Sequence, residues 1–471
     1  MLTMDEKIGD FICGDVLVEG DKISRVGAVI DPPAGTQIIN GSGKIVIPGL
    51  VNAHMHTWQT ALRGVTSNLT LSQYFRLIHA GLATLFEPED IRIGTLAGAL
   101  GQLNAGTTTL GDWCHNNPTP AHTDAAIAGL VKSGIRAVFL HGSPKPDPKA
   151  GEPHFSEVPH PRSEIERLLP QFTKDPDSLV TLGMAILGPH YSTLDVARAD
   201  LRLAREYDLI VSAHQGGGDA KSPGGWEALE TEGLLSPRLN LVHGNDLTDE
   251  QISRFTRAGV TFSIAPEIEM SEGHGWPITG RVLAAGGRPS YGVDIESAVS
   301  ADMFTVARMA LGCQRGLDTG RSREAGKGMP DSNSVTTRDA LEWITLNGAR
   351  ALGLESRIGS LTPGKQADIV ILDATAWNML PVHDPYSTVI METNIGNVQD
   401  VIVAGKFKKL AGHLRCPDAE NIKSELTASG RRIVSQLAIP NQIREKTPSK
   451  SLAYRVKLSK NGDNDTDGIR S

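Results

Sequence analysis

The chain has 471 residues, of which 39% are hydrophobic and 21% are charged, and its formal net charge at pH 7 is -8. This acidic balance of mixed charges argues against a nucleic-acid-binding protein, and no apolar run approaches the length of a membrane span. No basic-then-apolar leader opens the sequence, so we expect a soluble, cytoplasmic protein that acts on a small molecule.

Short alternating strands are predicted near the start of the chain, at residues 15–19, 22–26, 37–39 and 44–47. A patch of this size cannot bury a core by itself. We therefore expect strands from elsewhere in the chain to complete it.

The central part of the chain alternates apolar strands with helical segments. Segments such as 195–207 and 248–258 have helical periodicity and begin with capping residues. Strands are predicted at residues 50–56, 107–112, 135–142, 180–188, 209–215, 239–244, 259–266 and 288–295. These eight strand–helix repeats within residues 48–356 predict an α/β fold of the (β/α)8 TIM-barrel type, rather than a doubly wound sheet.

The end of the chain returns to short strands, predicted at 358–361, 367–372 and 398–403. We expect residues 1–47 and 357–415 to form one composite β-sandwich, because each set lacks partners of its own. Residues 416–471 are predicted to hold an amphipathic helix at 417–437, followed by a polar tail from Pro440.

Polar side chains stand at the carboxyl ends of most of the predicted barrel strands. In a barrel these ends share one rim, where catalytic residues lie. The residues are His54, His56, Asp112, His141, His190, His214, His243 and Asp294.

His54 and His56 lie two residues apart on one predicted strand, so both imidazoles point to the same face. Together with His214 and Asp294 they would suit Zn²⁺, Fe²⁺ or a similar divalent ion, with a position left for water. Each residue alone also fits a structural role, such as a hydrogen-bonded histidine or, for Asp294, the cap of the next helix. Their coincidence at one end of strands assigned from hydrophobicity favours the metal site.

At this point the chain resembles the amidohydrolase superfamily, in the branch that contains cytosine, guanine and S-adenosylhomocysteine deaminases and the triazine hydrolases. The resemblance covers about residues 15–410, and its strength lies in the order and spacing of several motifs. The motifs are Pro-Gly-Leu-Val-Asn-Ala-His54-Met-His56, Gly-Pro-His190-Tyr-Ser, Ser-Ala-His214, Leu-Val-His243-Gly-Asn-Asp-Leu-Thr-Asp-Glu, Tyr-Gly-Val-Asp294 with Asp302-Met-Phe following, and Gly359-Ser-Leu-Thr-Pro-Gly-Lys-Gln-Ala-Asp368.

The resemblance implies that His54, His56, His214 and Asp294 hold one divalent metal ion, zinc or alternatively iron. It further implies that Asp294 takes the proton of the activated water, and that His243 polarises the attacked centre or shuttles protons. Members with two metal ions bridge them with a lysine at the end of strand four. This sequence has Leu-Gly-Pro-His190 there, so one ion is expected. Dimers are common in the family, which implies a homo-oligomer.

The main departure from the family lies after His214. Ring deaminases of this branch usually carry His-x-x-Glu at strand five, where the glutamate protonates a ring nitrogen, but position 217 here is glycine. Gln215 or Asp219 could compensate, and so could Glu267 or Glu269 from a later loop. Alternatively, the substrate needs no protonated ring nitrogen.

Several residues just beyond strand ends are predicted to contact the substrate. Arg63 and His274 lie in the same kind of loop, and Arg63 would either bind a substrate anion or pair with a neighbouring acid. The predicted substrate-binding residues are Gln59, Trp113, His141, His190 and Gln215.

The chain is therefore predicted to be a metal-dependent hydrolase of a small cyclic or aromatic substrate, most consistently a deaminase acting on a C–N bond other than a peptide bond. A hydrolytic dehalogenase and an amide or lactone hydrolase are the alternatives, because position 217 lacks the glutamate. A barrel that has lost catalysis is the remaining possibility, although the metal positions and His243 are present.

Overall fold

The computed structural model describes residues 1–172 and 178–436. Its strands in chain order are β1 (Asp15–Glu19), β2 (Lys22–Gly27), β3 (Lys44–Pro48), β4 (Leu50–Met55), β5 (Thr107–Cys114), β6 (Arg136–His141), β7 (Val180–Ile186), β8 (Ile210–Gln215), β9 (Leu239–His243), β10 (Thr261–Ile264), β11 (Pro289–Tyr291), β12 (Ile369–Asp373), β13 (Val398–Val403), β14 (Lys406–Leu410) and β15 (His413–Leu414).

Strands β4 to β11 form an eight-stranded parallel sheet in which neighbours in the chain are neighbours in space. The sheet closes where His56 N donates to Asp294 O (2.8 Å) and Asp294 N donates to His54 O (3.0 Å). Gly292 permits this closure, because a Cβ at that position would lie 2.3 Å from His54 O. The predicted TIM barrel and its eight strands are confirmed.

Helices follow the barrel strands and surround the sheet. The predicted helix at 248–258 runs from Asp249 to Arg257, and its cap is reciprocal, since Thr248 Oγ1 accepts from Gln251 N (3.1 Å) and Gln251 Oε1 accepts from Thr248 N (3.0 Å). The longer helices are Pro88–Asn104, Pro120–Ser133, Arg162–Phe172, Leu194–Glu206, Gly225–Thr231, Asp249–Arg257, Pro266–Glu272, Thr279–Ala284, Met303–Glu324, Thr337–Trp343, Leu346–Ala351 and Ala419–Ser435. Shorter helical turns are Thr57–Leu62, Leu71–Tyr74, Phe75–His79, Leu82–Leu85, Phe155–Glu157, Gly188–Tyr191, Pro385–Ser387, Thr388–Glu392 and Ile395–Asn397.

Both ends of the chain contribute to a separate antiparallel sheet of order β15-β14-β13-β12-β3. Residues alternate between its two faces, as expected for strands buried on both sides. Val370 and Leu372 join the core shared with the barrel, whereas Ile369 and Ile371 pack with Ile23 of the β1–β2 hairpin. The hairpin therefore forms the second layer over the five-stranded sheet.

Two predicted strands are absent. Residues 37–39 form no strand, and Ile38 is 78% exposed in a stretch bounded by prolines and glycines. Residues 358–361 form no strand, because Gly359 has a φ of 91° that ends any extended run. Their apolar composition suggested strands, but neither segment finds a neighbouring strand to pair with.

The predicted helix at 417–437 is confirmed as Ala419–Ser435, which packs against helix Pro88–Asn104. Ser429 Oγ donates to Asp90 Oδ1 at 2.7 Å, and Arg432 pairs with the same carboxylate. The polar tail predicted from Pro440 lies outside the described residues. Among the helices of the described ranges, none combines the length and apolar character needed to cross a membrane.

Candidate active site

The carboxyl ends of the barrel strands bring the predicted metal ligands together. His54 lies near the end of β4, His56 directly follows it, His214 lies in β8, and Asp294 follows β11. His54 Nε2 and His56 Nε2 lie 3.2 and 3.3 Å from the same oxygen, Asp294 Oδ1. Ligand-type atoms of His54, His214, His243 and Asp294 all lie within 4.8 Å of one another. The structure therefore places the predicted ligands in one cluster, with His243 beside them.

Nitrogen and oxygen donor atoms converge in this cluster, as the binding of a cation requires. His56 Nδ1 lies 2.6 Å from Trp113 O, and its Nε2 lies 3.3 Å from Asp294 Oδ1. Burial lowers the pKa of His54 to about 4 and the pKa of His214 well below its usual value, which keeps both rings neutral. His214 Nδ1 is buried and has no hydrogen-bond partner among the described residues. Imidazole nitrogens with one carboxylate form a donor set that suits a single divalent ion such as zinc.

Asp294 is anionic in this setting. Burial by itself opposes ionisation, but the hydrogen bonds and proximity of His54 and His56 outweigh it and hold the pKa of Asp294 well below its usual range. A buried carboxylate without a proton is available both to bind a cation and to accept a proton.

His243 connects Asp294 to a second buried carboxylate. Its Nε2 lies 3.6 Å from Asp294 Oδ2 and its Nδ1 lies 3.1 Å from Glu269 Oε1. Glu269 in turn accepts hydrogen bonds from Ala265 N (2.8 Å) and Asn245 Nδ2 (3.1 Å). Burial disfavours the charged imidazole, but the Glu269 contact and the charge of Asp294 outweigh it and raise the pKa of His243. The ring is thus held between two carboxylates, where it can accept and release a proton.

His243 and Asp294 also share an uncommon backbone conformation, since both have a φ of 68°. Residues other than glycine seldom adopt this left-handed region, and each instance costs roughly 1–3 kcal/mol. The surrounding fold imposes it on Asp294 through the backbone hydrogen bonds that close the barrel. Both strained residues belong to the polar cluster, as is common at functional sites.

A cavity adjoins the cluster, and Asp294, His56, His214 and His243 contribute to its wall. The rest of the wall comes from loops and short helices, and includes His79, His115, Lys145, Tyr191, Glu272 and His274. Of these, sequence reasoning named only His274. His115 and Lys145 come one and four residues after the ends of β5 and β6, so a wider search around each strand end would have found them.

Two of the predicted substrate-binding residues, Gln59 and Trp113, lie behind the cavity wall. Gln59 Nε2 donates to Tyr74 Oη at 2.6 Å, and Tyr74 itself lines the cavity. The Trp113 ring packs on His214 with 4.3 Å between ring centroids, while its carbonyl oxygen orients His56. Both residues therefore support side chains of the site, and direct contact with a substrate stays a prediction.

The other three predicted substrate-binding residues have partners within the protein. Gln215 Nε2 lies 3.2 Å from His190 Nδ1 and 3.0 Å from Asp246 Oδ2. His141 Nδ1 lies 2.9 Å from His160 Nε2. None of the three belongs to the cavity lining of the described chain, so their substrate contacts also stay predictions. The amide of Gln215 is occupied by its neighbours and is a poor replacement for the missing glutamate.

Other side chains fill the space beside residue 217, where the ring deaminases carry their glutamate. Gly217 has a φ of 95°, and a Cβ there would lie 2.6 Å from Leu71 Cδ2 and 2.9 Å from Tyr191 Oη. Tyr191 Oη also donates to the carbonyl of Gly216, which fixes it in this space. Leu71 and Tyr191 thus fill the volume that a side chain at 217 would need.

Three loop residues singled out in the sequence, Arg63, Glu267 and His274, have different surroundings in the structure. Arg63 pairs with Glu296 at 2.8 Å, which favours the neighbouring acid over a substrate anion as its partner. Glu267 accepts a long hydrogen bond from Ser300 (3.4 Å) outside the cavity lining, whereas His274 lies in that lining, with its ring centroid 4.4 Å from that of His243.

Comparisons with known proteins agree with this geometry. A 5-methylthioadenosine/S-adenosylhomocysteine deaminase of Pyrococcus abyssi is 27% identical over 87% of this chain and 92% of its own. An 8-oxoguanine deaminase of Pseudomonas aeruginosa is 29% identical over 85% of this chain and 90% of its own. The structure of an atrazine chlorohydrolase from Arthrobacter aurescens, complexed with zinc, has the same fold, with a TM-score of 0.78 and 24% identity over 91% of this chain and 98% of that one. Residues 45–408 match the Amidohydrolase family, and because that match spans most of the sequence, this protein belongs to that family.

Proposed function

We propose that this protein is a metal-dependent aminohydrolase, which replaces an amino group on a small nitrogen heterocycle with a hydroxyl group from water. The observation that carries the proposal is the buried array in which His54, His56 and His243 surround the carboxylate of Asp294. The deaminase relatives, each covering most of this chain, support amino groups as the leaving groups.

In the proposed reaction, water adds to the ring carbon that bears the amino group, and the amine departs with the electron pair of the C–N bond. The net change is R–NH₂ + H₂O → R–OH + NH₃. A bound divalent ion supplies Lewis acidity, which brings the pKa of water towards neutrality. Asp294 accepts the proton that the water loses, and His243, 3.6 Å away, passes a proton to the departing amine.

We assign the role of the missing acid to Glu272, at the end of helix Pro266–Glu272. Its carboxyl group lines the cavity, is nearly fully buried, and has an Oε1 atom without a hydrogen-bond partner among the described residues. Burial, followed by the charge of Asp294, raises the pKa of Glu272 to about 8, so the group carries a proton at neutral pH. It can therefore protonate a ring nitrogen of the bound substrate, which increases the electrophilicity of the adjacent carbon.

The test of the proposed function is ammonia release by the zinc-loaded protein from a panel of aminated purines, pyrimidines, pterins and triazines. We expect turnover of at least one member and loss of most of that turnover in Asp294→Asn. No ammonia from any member would contradict the proposal.

The role of Glu272 is tested in the same assay by Glu272→Gln, with Glu267→Gln as the matched control from the same helix. General acid catalysis contributes about 10²- to 10⁴-fold, so kcat should fall by that order in Glu272→Gln and remain unchanged in the control. An unimpaired rate in Glu272→Gln would remove this residue as the acid.

A second candidate function is hydrolysis with loss of halide, and Gly217 is the observation that favours it. Halide leaves as an anion, so it needs less acid assistance than an amine, and the usual acid position is filled by Leu71 and Tyr191. Chloride release from chlorinated heterocycles, without ammonia from their amino counterparts, would favour this candidate.

A cytoplasmic location, expected from the sequence pattern, and a homo-oligomeric state, expected from the family resemblance, complete the proposal. Light scattering of the purified protein measures the oligomeric state. A monomeric mass would contradict the second of these expectations.

A further inference from the structure

Lys145 is a buried lysine in the wall of the active-site cavity. It lies four residues after β6, is only 8% exposed, and lines the same cavity as Asp294. Its Nζ atom lies 5.2 Å from the ring centroid of Tyr191, 5.5 Å from that of Trp113 and 6.0 Å from that of Phe75. The ammonium group is thus surrounded by aromatic rings.

Lys145 has neither an ion pair nor a hydrogen bond to another residue of the described chain. The other buried lysine of the described ranges, Lys409, has a partner, since its Nζ donates to Asn104 O at 2.8 Å. Burying an ammonium group without a hydrogen-bonding anion or acceptor is costly, and contacts with aromatic rings offset only part of that cost. A buried lysine left in this state is suited to a partner that arrives from outside.

The groups around Lys145 do not neutralise its charge. Burial lowers the pKa of His79 well below its usual range, so this ring is neutral, and Glu272 holds a proton at neutral pH. Asp294 is the anion of the cavity wall, and its Oδ1 atom is already in contact with His54 and His56. Burial lowers the pKa of Lys145 to about 8, which still leaves it mostly charged at pH 7.

We infer that Lys145 is the anion-recognition residue of this cavity, and that the substrate is a flat heterocycle carrying a negatively charged oxygen group, such as a carboxylate. This deepens the proposed function, on which it rests for the identity of the site. The aromatic rings of Phe75 and Tyr191, which also line the cavity, offer apolar faces to the flat part of such a molecule. A neutral ring of the same size would leave the ammonium unpaired and bind more weakly.

The inference is tested by binding rather than turnover, with two probes of nearly equal shape and different charge. Nicotinate carries a carboxylate on a pyridine ring, and nicotinamide is its neutral counterpart. Calorimetric titration of the metal-loaded full-length protein should show nicotinate binding at least about tenfold more tightly, as expected for a charge-assisted hydrogen bond.

Lys145→Met removes the charge while keeping a long apolar side chain, and Lys149→Met is the matched control because Lys149 is an exposed residue of the same loop. We expect the preference for nicotinate to disappear in Lys145→Met and to persist in Lys149→Met. Metal content and the unfolding temperature of each variant are measured alongside, which separates lost recognition from a lost metal or a damaged fold.

The inference is overturned if nicotinate fails to bind the parent protein, if both probes bind equally well, or if Lys145→Met keeps the preference with its metal intact. A carboxylate held only by the metal ion would give the last of these results. Ammonia release is independent of this titration. A protein that prefers nicotinate through Lys145 but deaminates nothing would retain the inference and lose the proposed function.

Discussion

A buried ion pair between Arg136 and Asp368 links the barrel to the sheet formed by both chain ends, and its removal should destabilise the whole protein. Arg136 Nε and Nη2 lie 2.8 and 3.0 Å from the two oxygens of Asp368, and both side chains are at most 2% exposed. Gln366 Oε1 accepts a further bond from Arg136 (3.1 Å), and Ala404 N donates to Asp368 (2.8 Å). This network gives a physical reason for the motif that ends in Gln-Ala-Asp368.

Removing one member of a buried pair leaves the other charge without compensation, which costs roughly 3–5 kcal/mol, whereas removing both costs much less. We therefore expect Arg136→Met and Asp368→Asn each to lower the free energy of unfolding by about 3 kcal/mol or more. The double variant should lose clearly less free energy of unfolding than the two single variants lose in total. Urea unfolding of the four proteins gives the coupling energy directly.

The pair lies at the amino-terminal end of the barrel strands, away from the catalytic rim, so metal content and turnover below the unfolding transition should stay at the parent level. The exposed pair Arg162–Glu206 is the control, and its double-mutant cycle should show little coupling. Losses at 136 and 368 that simply add, within about 0.5 kcal/mol, would refute the reasoning.

Further predictions concern the metal site, strand five and a buried acid. His214→Ala should abolish metal retention, whereas Asp294→Asn should retain more metal and lose most turnover; equal metal content in His214→Ala and the parent would refute the ligand assignment. Gly217→Ala should destabilise more than Gly218→Ala, because both have positive φ but only position 217 meets neighbouring atoms, and equal unfolding midpoints would show that the site is open. Burial raises the pKa of Asp200 to about 7, so the stability it confers is present at low pH and is lost as pH rises from about 4 to 7. Asp200→Asn should therefore be more stable than the parent at pH 8, by up to about 4 kcal/mol, and the advantage should shrink towards pH 4; a pH-independent difference in urea midpoint would contradict this.

The fold and the clustering of the predicted metal ligands were predictable because both follow from short periods in the sequence. Apolar runs separated by helical segments gave the eight barrel strands, and parallel strands place their carboxyl ends on one rim. Since residues two apart share a face, His54 and His56 converge on Asp294, which follows β11, and His214 joins them from β8. The false strands at 37–39 and 358–361 show the limit of the same rule, because a strand also requires a neighbour with free backbone groups.

The sequence by itself determined the barrel and the cluster around Asp294, whereas the tertiary structure decided what surrounds them. It showed that Leu71 and Tyr191 occupy the space beside Gly217. It also showed that Glu269 is a hydrogen-bond partner of His243 and that Glu272 lines the cavity. These residues lie on loops and short helices, whose paths depend on packing between segments far apart in the chain and leave no periodic signal. For the same reason, the unpaired charge of Lys145 became visible only when every neighbouring side chain had a position.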